Sequence, residues 1–133
     1  MNVKAISVQQ PHADNLVDGP KKMEVRSWRT HYRGPLLVCA GARPVLPGRL
    51  SRHAIGIVNV VDCRRMKPED AEPAMTDYEP DLWVWIVAEA RRIDAFPVKG
   101  KLGFFEVELP GSTPIPAPPQ PELFNQELEP CGR

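Results

Sequence analysis

Residues 22 to 28, Lys-Met-Glu-Val-Arg-Ser-Trp, alternate with a period of two. That period belongs to a strand, whose successive side chains point to opposite faces. Met23, Val25 and Ser27 fall on one face; Lys22, Glu24, Arg26 and Trp28 fall on the other. Met23 and Val25 suit a core. The opposite face then carries two cations, a carboxylate and an indole in one line. Such a face can grip a polar, planar, anionic ligand such as a nucleotide. Gly19-Pro20 sets a turn in front of the strand, and Tyr32-Arg33-Gly34 follows it.

The rest of the chain reads as further strands around this one. Val3 to Val8 is a first strand. Pro11 suits the first turn of a short helix, residues 11 to 17, which Gly19 ends. Pro35 to Ala40 is apolar nearly throughout, as a strand buried on both faces is. Residues 41 to 52 are a loop. His53 to Arg64 is a long β-rich run in which Gly56 permits a bulge as a barrel closes. A helical turn is expected near Glu69 to Ala74. Leu82 to Arg91 forms the next strand, Ile93 to Val98 continues it, and Phe104 to Leu109 closes the set. Six or so strands with one or two short helices predict a mainly β, α+β barrel.

Composition changes at Pro110. From there to Arg133 the chain has seven prolines and three acids against one base. Pro-Ile-Pro-Ala-Pro-Pro-Gln-Pro favours polyproline II and cannot join a central sheet. Residues 1 to 109 are therefore read as the domain and 110 to 133 as an extended or disordered tail. In that tail Leu123, Phe124 and Leu128 are able to dock on the barrel or on a partner.

Formal net charge is zero, so no global field draws the chain to nucleic acid or membrane. Any such affinity must come from a patch, and between Lys21 and Arg33 five Lys or Arg residues face one Glu. Cys39, Cys63 and Cys131 are odd in number and lack Cys-x-x-Cys spacing; the first two lie in apolar runs and read as small core residues. His12, His31 and His53 are scattered, so neither a metal nor another cofactor is expected. No signal peptide and no apolar run of membrane-spanning length is seen, which makes the cytoplasm the expected location.

Three segments resemble the ASCH domain family, small β-barrels related to the PUA RNA-binding fold. The pattern Gly-x-Lys-x-x-Glu-x-Arg-x-Trp at Gly19 to Trp28, followed by Tyr-Arg-Gly, is similar to the family's signature. Ile6-Ser7-Val8-Gln9-Gln10-Pro11-His12-Ala13 resembles its opening strand and helix start. Val98-Lys99-Gly100-Lys101-Leu102-Gly103-Phe104 and the residues after it resemble its closing element. The three segments span residues 3 to 107, about four-fifths of the chain.

The resemblance implies a cleft with Lys21, Glu24, Arg26 and Trp28 on one side and Lys101 on the other, and with Ser7 and Gln9 contributing from the first strand. It implies RNA or a nucleotide-like ligand as the partner, held by Lys and Arg on phosphates and by stacking on Trp or Tyr. On its own residues, Lys21 is a phosphate contact, a base with a depressed pKa or a surface lysine. Trp28 is a stacking platform or a rim residue covering apolar surface. Enzymatic alternatives follow from relatives. Some bacterial members resemble amidohydrolases of N4-acetylcytidine, with a threonine nucleophile where this chain has Glu24 and a lysine base matching Lys21. A carboxylate cannot supply that hydroxyl, so the threonine mechanism is not expected. Other relatives cut single-stranded RNA with a Tyr, a Lys and a Ser, for which Tyr32, Lys21 or Lys101, and Ser7 are the candidates here. A third reading is a protein-interaction module working through the Pro-rich tail.

Overall fold

The apolar run Gly34–Ala40 (β3) lies at the centre of the structure because both of its faces are covered. Leu36, Val38 and Ala40 join one buried cluster, and Leu37 and Cys39 join another. The computed structural model describes residues 1–111 and Thr113. Within them β3 pairs in parallel with Asn2–Val8 (β1) and antiparallel with His53–Arg65 (β4). Met23–Arg26 (β2), Trp83–Pro97 (β5) and Phe105–Glu108 (β6) complete a six-stranded sheet in the order β2-β5-β4-β3-β1-β6. The sheet curls into a half-barrel. Strands β2 and β1 stand four places apart in it, yet Arg26 Nη2 on β2 donates to the Ser7 carbonyl on β1 at 2.8 Å.

Two short helices accompany the sheet. His12–Asp18 (α1) packs Ala13, Leu16 and Val17 on the larger buried cluster with Ile6, Val58 and Trp85. It ends where Gly19, at φ 106°, turns the chain and donates to the Asn15 carbonyl at 3.2 Å. The tight turn Pro68–Asp70 runs into Ala71–Ala74 (α2), which covers the outside of β2 through Met23, Met66 and Val84. The expected mainly β, α+β barrel is the fold observed.

Gly56 carries the bend that was expected of it. Pairing of β4 slips between Ala54 and Gly56 against β5, and opposite Val38 and Cys39 on β3. The slip inserts one residue, so Ile55 and Val58, three apart, still face the same cluster. A Cβ at Gly56 would lie 2.5 Å from Val17 Cγ1 and 2.6 Å from the Arg91 carbonyl oxygen. Only glycine lets α1 sit this close to the sheet.

Two boundaries and one burial differ from the sequence reading. The strand expected over residues 22 to 28 is Met23–Arg26, and Trp28 lies in the bend after it. Residues 83 to 97 form one continuous fifteen-residue strand. Glu24 was read on a face open to a ligand, yet it is 7% exposed, and its carboxylate accepts from Arg26 Nε at 2.7 Å. Residue 112 and residues 114–133, and with them Cys131 and most of the Pro-rich tail, lie outside the described residues.

Candidate ligand-binding cleft

A cleft of about 1250 Å3 opens where β1, β2 and the chain before and after β5 meet. The end of β1 brings Ser7 and Gln9, and β2 brings Glu24 and Arg26. The loop 98–103 forms the opposite lip. That loop lies against β1 because position 100 is glycine: a Cβ there would sit 3.0 Å from Ser7 Oγ. Arg52 joins the wall from the loop before β4. Its backbone is left-handed, φ 58°. Its N–H donates to the Ala40 carbonyl at 2.8 Å, and its carbonyl accepts from Val98 N–H at 3.0 Å. Those two bonds tie β3 to the start of the lip.

The cleft floor is a polar group that the fold holds out of water. Lys21 is 2% exposed. Its N–H donates to the Asn15 carbonyl at 3.0 Å, which sets the backbone after α1, and its ammonium donates to the Ala74 carbonyl at the end of α2. Burial pushes the Lys21 pKa below the usual lysine value, and the Glu24 carboxylate opposes that shift in part. Glu24 Oε2 accepts from Arg26 Nε at 2.7 Å. His12, the first residue of α1, lines the same space, and its buried Nδ1 has no partner among the described residues. Burial lowers the His12 pKa, Lys21 lowers it further and Glu24 acts against both.

Electrostatically the cleft is one-sided. Lys21, Arg26, Arg52, Lys99 and Lys101 line it against the single carboxylate of Glu24. Arg26 is held by Glu24 and the Ser7 carbonyl. Arg52, Lys99 and Lys101 are exposed, and none has an ion-pair partner among the described residues. These three cations are available to an anion.

Of the residues singled out in the sequence, Ser7, Gln9, Lys21, Glu24, Arg26 and Lys101 come together in this cleft. Trp28 and Tyr32 are placed elsewhere, in an aromatic cluster. Trp28 meets Trp85 edge-on at 4.7 Å and Phe104 at 5.3 Å, and its carbonyl accepts from Trp85 Nε1 at 3.3 Å. Tyr32 packs on Phe104 at 5.8 Å and donates its hydroxyl to the Pro35 carbonyl. The Tyr, Lys and Ser of the ribonuclease alternative are therefore not gathered in one place. His12, Arg52 and Lys99 were missed. His12 and Lys99 stood inside the segments that carried the resemblance, two or three residues from chosen positions. Arg52 gave no signal, because a left-handed arginine in a loop has no pattern.

Among the described residues no group of three His, Cys, Asp or Glu is placed to hold a metal ion. No described helix is long and apolar enough to cross a membrane. Cys39 and Cys63 are free thiols, and burial pushes the Cys39 pKa up to about 12.

A curled mainly β sheet with a polar cleft beside its first strand defines a PUA-like domain. The family model for the ASCH domain matches residues 6–97, and the chain belongs to that family. It is 28% identical over 119 residues to human activating signal cointegrator 1, covering 71% of this chain and 20% of that protein. The chain thus spans about a fifth of that relative's length. The crystal structure of ASCH from Zymomonas mobilis superposes with a TM-score of 0.52 at 14% identity, covering 72% of each chain. A single-substitution mutant of the same bacterial protein gives 0.53 at 14% identity, covering 71% of this chain and 74% of that one. These likenesses concern the fold.

Proposed function

We propose that this chain binds single-stranded RNA, or a nucleotide-like ligand of the same chemistry, in the cleft between β1, β2 and the 98–103 lip. The observation that carries this reading is the surplus of cations without an ion-pair partner among the described residues, Arg52, Lys99 and Lys101, around a space of about 1250 Å3. Phosphate oxygens suit such cations, and a base fits the floor, where Glu24, Arg26 and His12 offer acceptors and donors. Membership of a family related to RNA binding supports it, as do the free cysteines for a cytoplasmic setting. Fluorescence anisotropy with a labelled oligouridine tests it. The double variant Lys99→Ala with Lys101→Ala is expected to bind more weakly and to make the log–log salt slope shallower by roughly 1.4, two contacts at about 0.7 each. Unchanged affinity and slope would exclude the lip from the binding site.

A second reading, hydrolysis of RNA or of a modified nucleoside, is favoured by Lys21. A buried amine with a depressed pKa, facing a carboxylate in a cleft, is the kind of group used as a base. Glu24 at the threonine position counts against the threonine mechanism. Product release from RNA or N4-acetylcytidine that disappears in Lys21→Met would establish turnover; no product above background would leave binding as the activity.

A further inference from the structure

The cleft does not end at Arg26. In the register of the sheet Arg26 on β2 stands opposite Trp83 on β5, and Trp83 stands opposite Arg65 on β4. Directly opposed residues put their side chains on the same face about 5 Å apart. The three form one row leading away from the cleft wall. The Arg65 guanidinium lies 4.4 Å from the centre of the Trp83 ring, and that of Arg29 lies 5.5 Å from it. Trp83 is half-buried, and Arg29 and Arg65 are exposed.

The charges around this row separate used from spare cations. Arg64 is fixed by Asp70 at 2.7 Å and Arg33 is 3.7 Å from Asp62. Arg26 is fixed by Glu24. Among the described residues Arg65 has Asp81 as its one ion-pair partner, at 3.8 Å, between side chains that are 59% and 93% exposed. Such a pair contributes little and is easily exchanged for a phosphate. Arg29 has no ion-pair partner among the described residues. Two weakly engaged guanidiniums over one indole make a surface that stacks a base and neutralises the phosphates on either side of it.

We infer that Arg29, Trp83 and Arg65 form a second contact for single-stranded RNA, which takes the nucleotides that run past Arg26 out of the cleft. The inference rests on the cleft reading for its ligand class, and it makes a separate demand on ligand length. A short RNA fills the cleft alone; a longer one reaches the indole as well.

Anisotropy titrations on the full chain, with labelled oligouridines of about four and about ten nucleotides, test it. The double variant Arg29→Ala with Arg65→Ala is expected to bind the short probe as the parent does. For the long probe it is expected to lose about tenfold in affinity, with a salt slope shallower by roughly 1.4. Arg91→Ala, an exposed arginine eight residues further along β5, is the control and is expected to change neither. Thermal melts of each variant confirm that the fold persists. Unchanged binding of the long probe by the double variant overturns the inference and leaves the cleft reading standing. Equal loss for both probes also overturns it, because the contact would then belong to the cleft. If the parent binds only the long probe and the double variant loses it, Arg29, Trp83 and Arg65 bind RNA by themselves, and both the cleft reading and the inference that they extend it fail. No binding of either probe by the parent overturns both.

Discussion

Arg26→Ala should destabilise the fold, although the residue lies on a polar cleft wall. Arg26 bridges β2 to β1 through Nη2, which donates to the Ser7 carbonyl at 2.8 Å, and its Nε donates to Glu24 Oε2 on its own strand at 2.7 Å. The Glu24 side chain is 9% exposed, so removing the guanidinium leaves a carboxylate nearly cut off from water. Breaking a buried ion pair from one side costs about 3–5 kcal/mol. Two features place this case at the low end. The Arg26 side chain is 22% exposed, so water can enter the space it leaves. Lys21 also remains close enough to act on Glu24. The expected loss is therefore about 3 kcal/mol, which for a domain of this size lowers Tm by roughly 10 °C. Urea and thermal unfolding of Arg26→Ala, Glu24→Gln and the double variant measure it. The double variant should recover much of the loss, because a neutral amide is cheaper to bury than an unpaired carboxylate. A Tm within about 2 °C of the parent in Arg26→Ala, the size of an ordinary surface substitution, would refute the argument and make the pair a solvated one.

Two further outcomes are expected. Burial holds the folded His12 pKa below its ordinary 6.5, so the unfolded chain takes up the proton first as pH falls; stability is complete above 6.5 and declines on acidification until the lower folded pKa is passed. Melting curves between about pH 7.5 and 5 should show that decline in the parent and less of it in His12→Gln. A chain ending at Leu109 should keep its fold and lose no more than about 2 °C in Tm, since Pro-rich sequence supplies little apolar surface to bury. Aggregation of that shortened chain would mean that Leu123, Phe124 or Leu128 belongs to the folded unit.

Local pattern carried much of the fold. The alternation at residues 22 to 28 marked a strand, and the unbroken apolar run at 35 to 40 marked one covered on both faces. Gly56 marked the bend. What covers each face of β2 was not legible. Alternation separates two faces but does not say what lies over each; the Glu24 side chain is buried, and the arginine that holds it reaches across to the Ser7 carbonyl on β1. Trp28 lies past the end of β2, where its indole packs edge-on against Trp85 and Phe104. Within the cleft, residues on paired strands were easier to anticipate than Arg52, which a non-local pair of backbone bonds to Ala40 and Val98 puts in place. The Arg26–Trp83–Arg65 row needed the register of three strands, which single-strand patterns do not contain.

The measurement closest to the central claim is a map of amide chemical shifts as an oligouridine of about four nucleotides is added to the labelled protein. Binding in the cleft predicts that the largest changes fall on Ser7 to Gln9, on Arg26 and Ser27, on Arg52 and on 99 to 103, with small changes around α2 and the outer face of β2. Changes concentrated on that outer face, or none at a concentration that saturates anisotropy, would contradict the account.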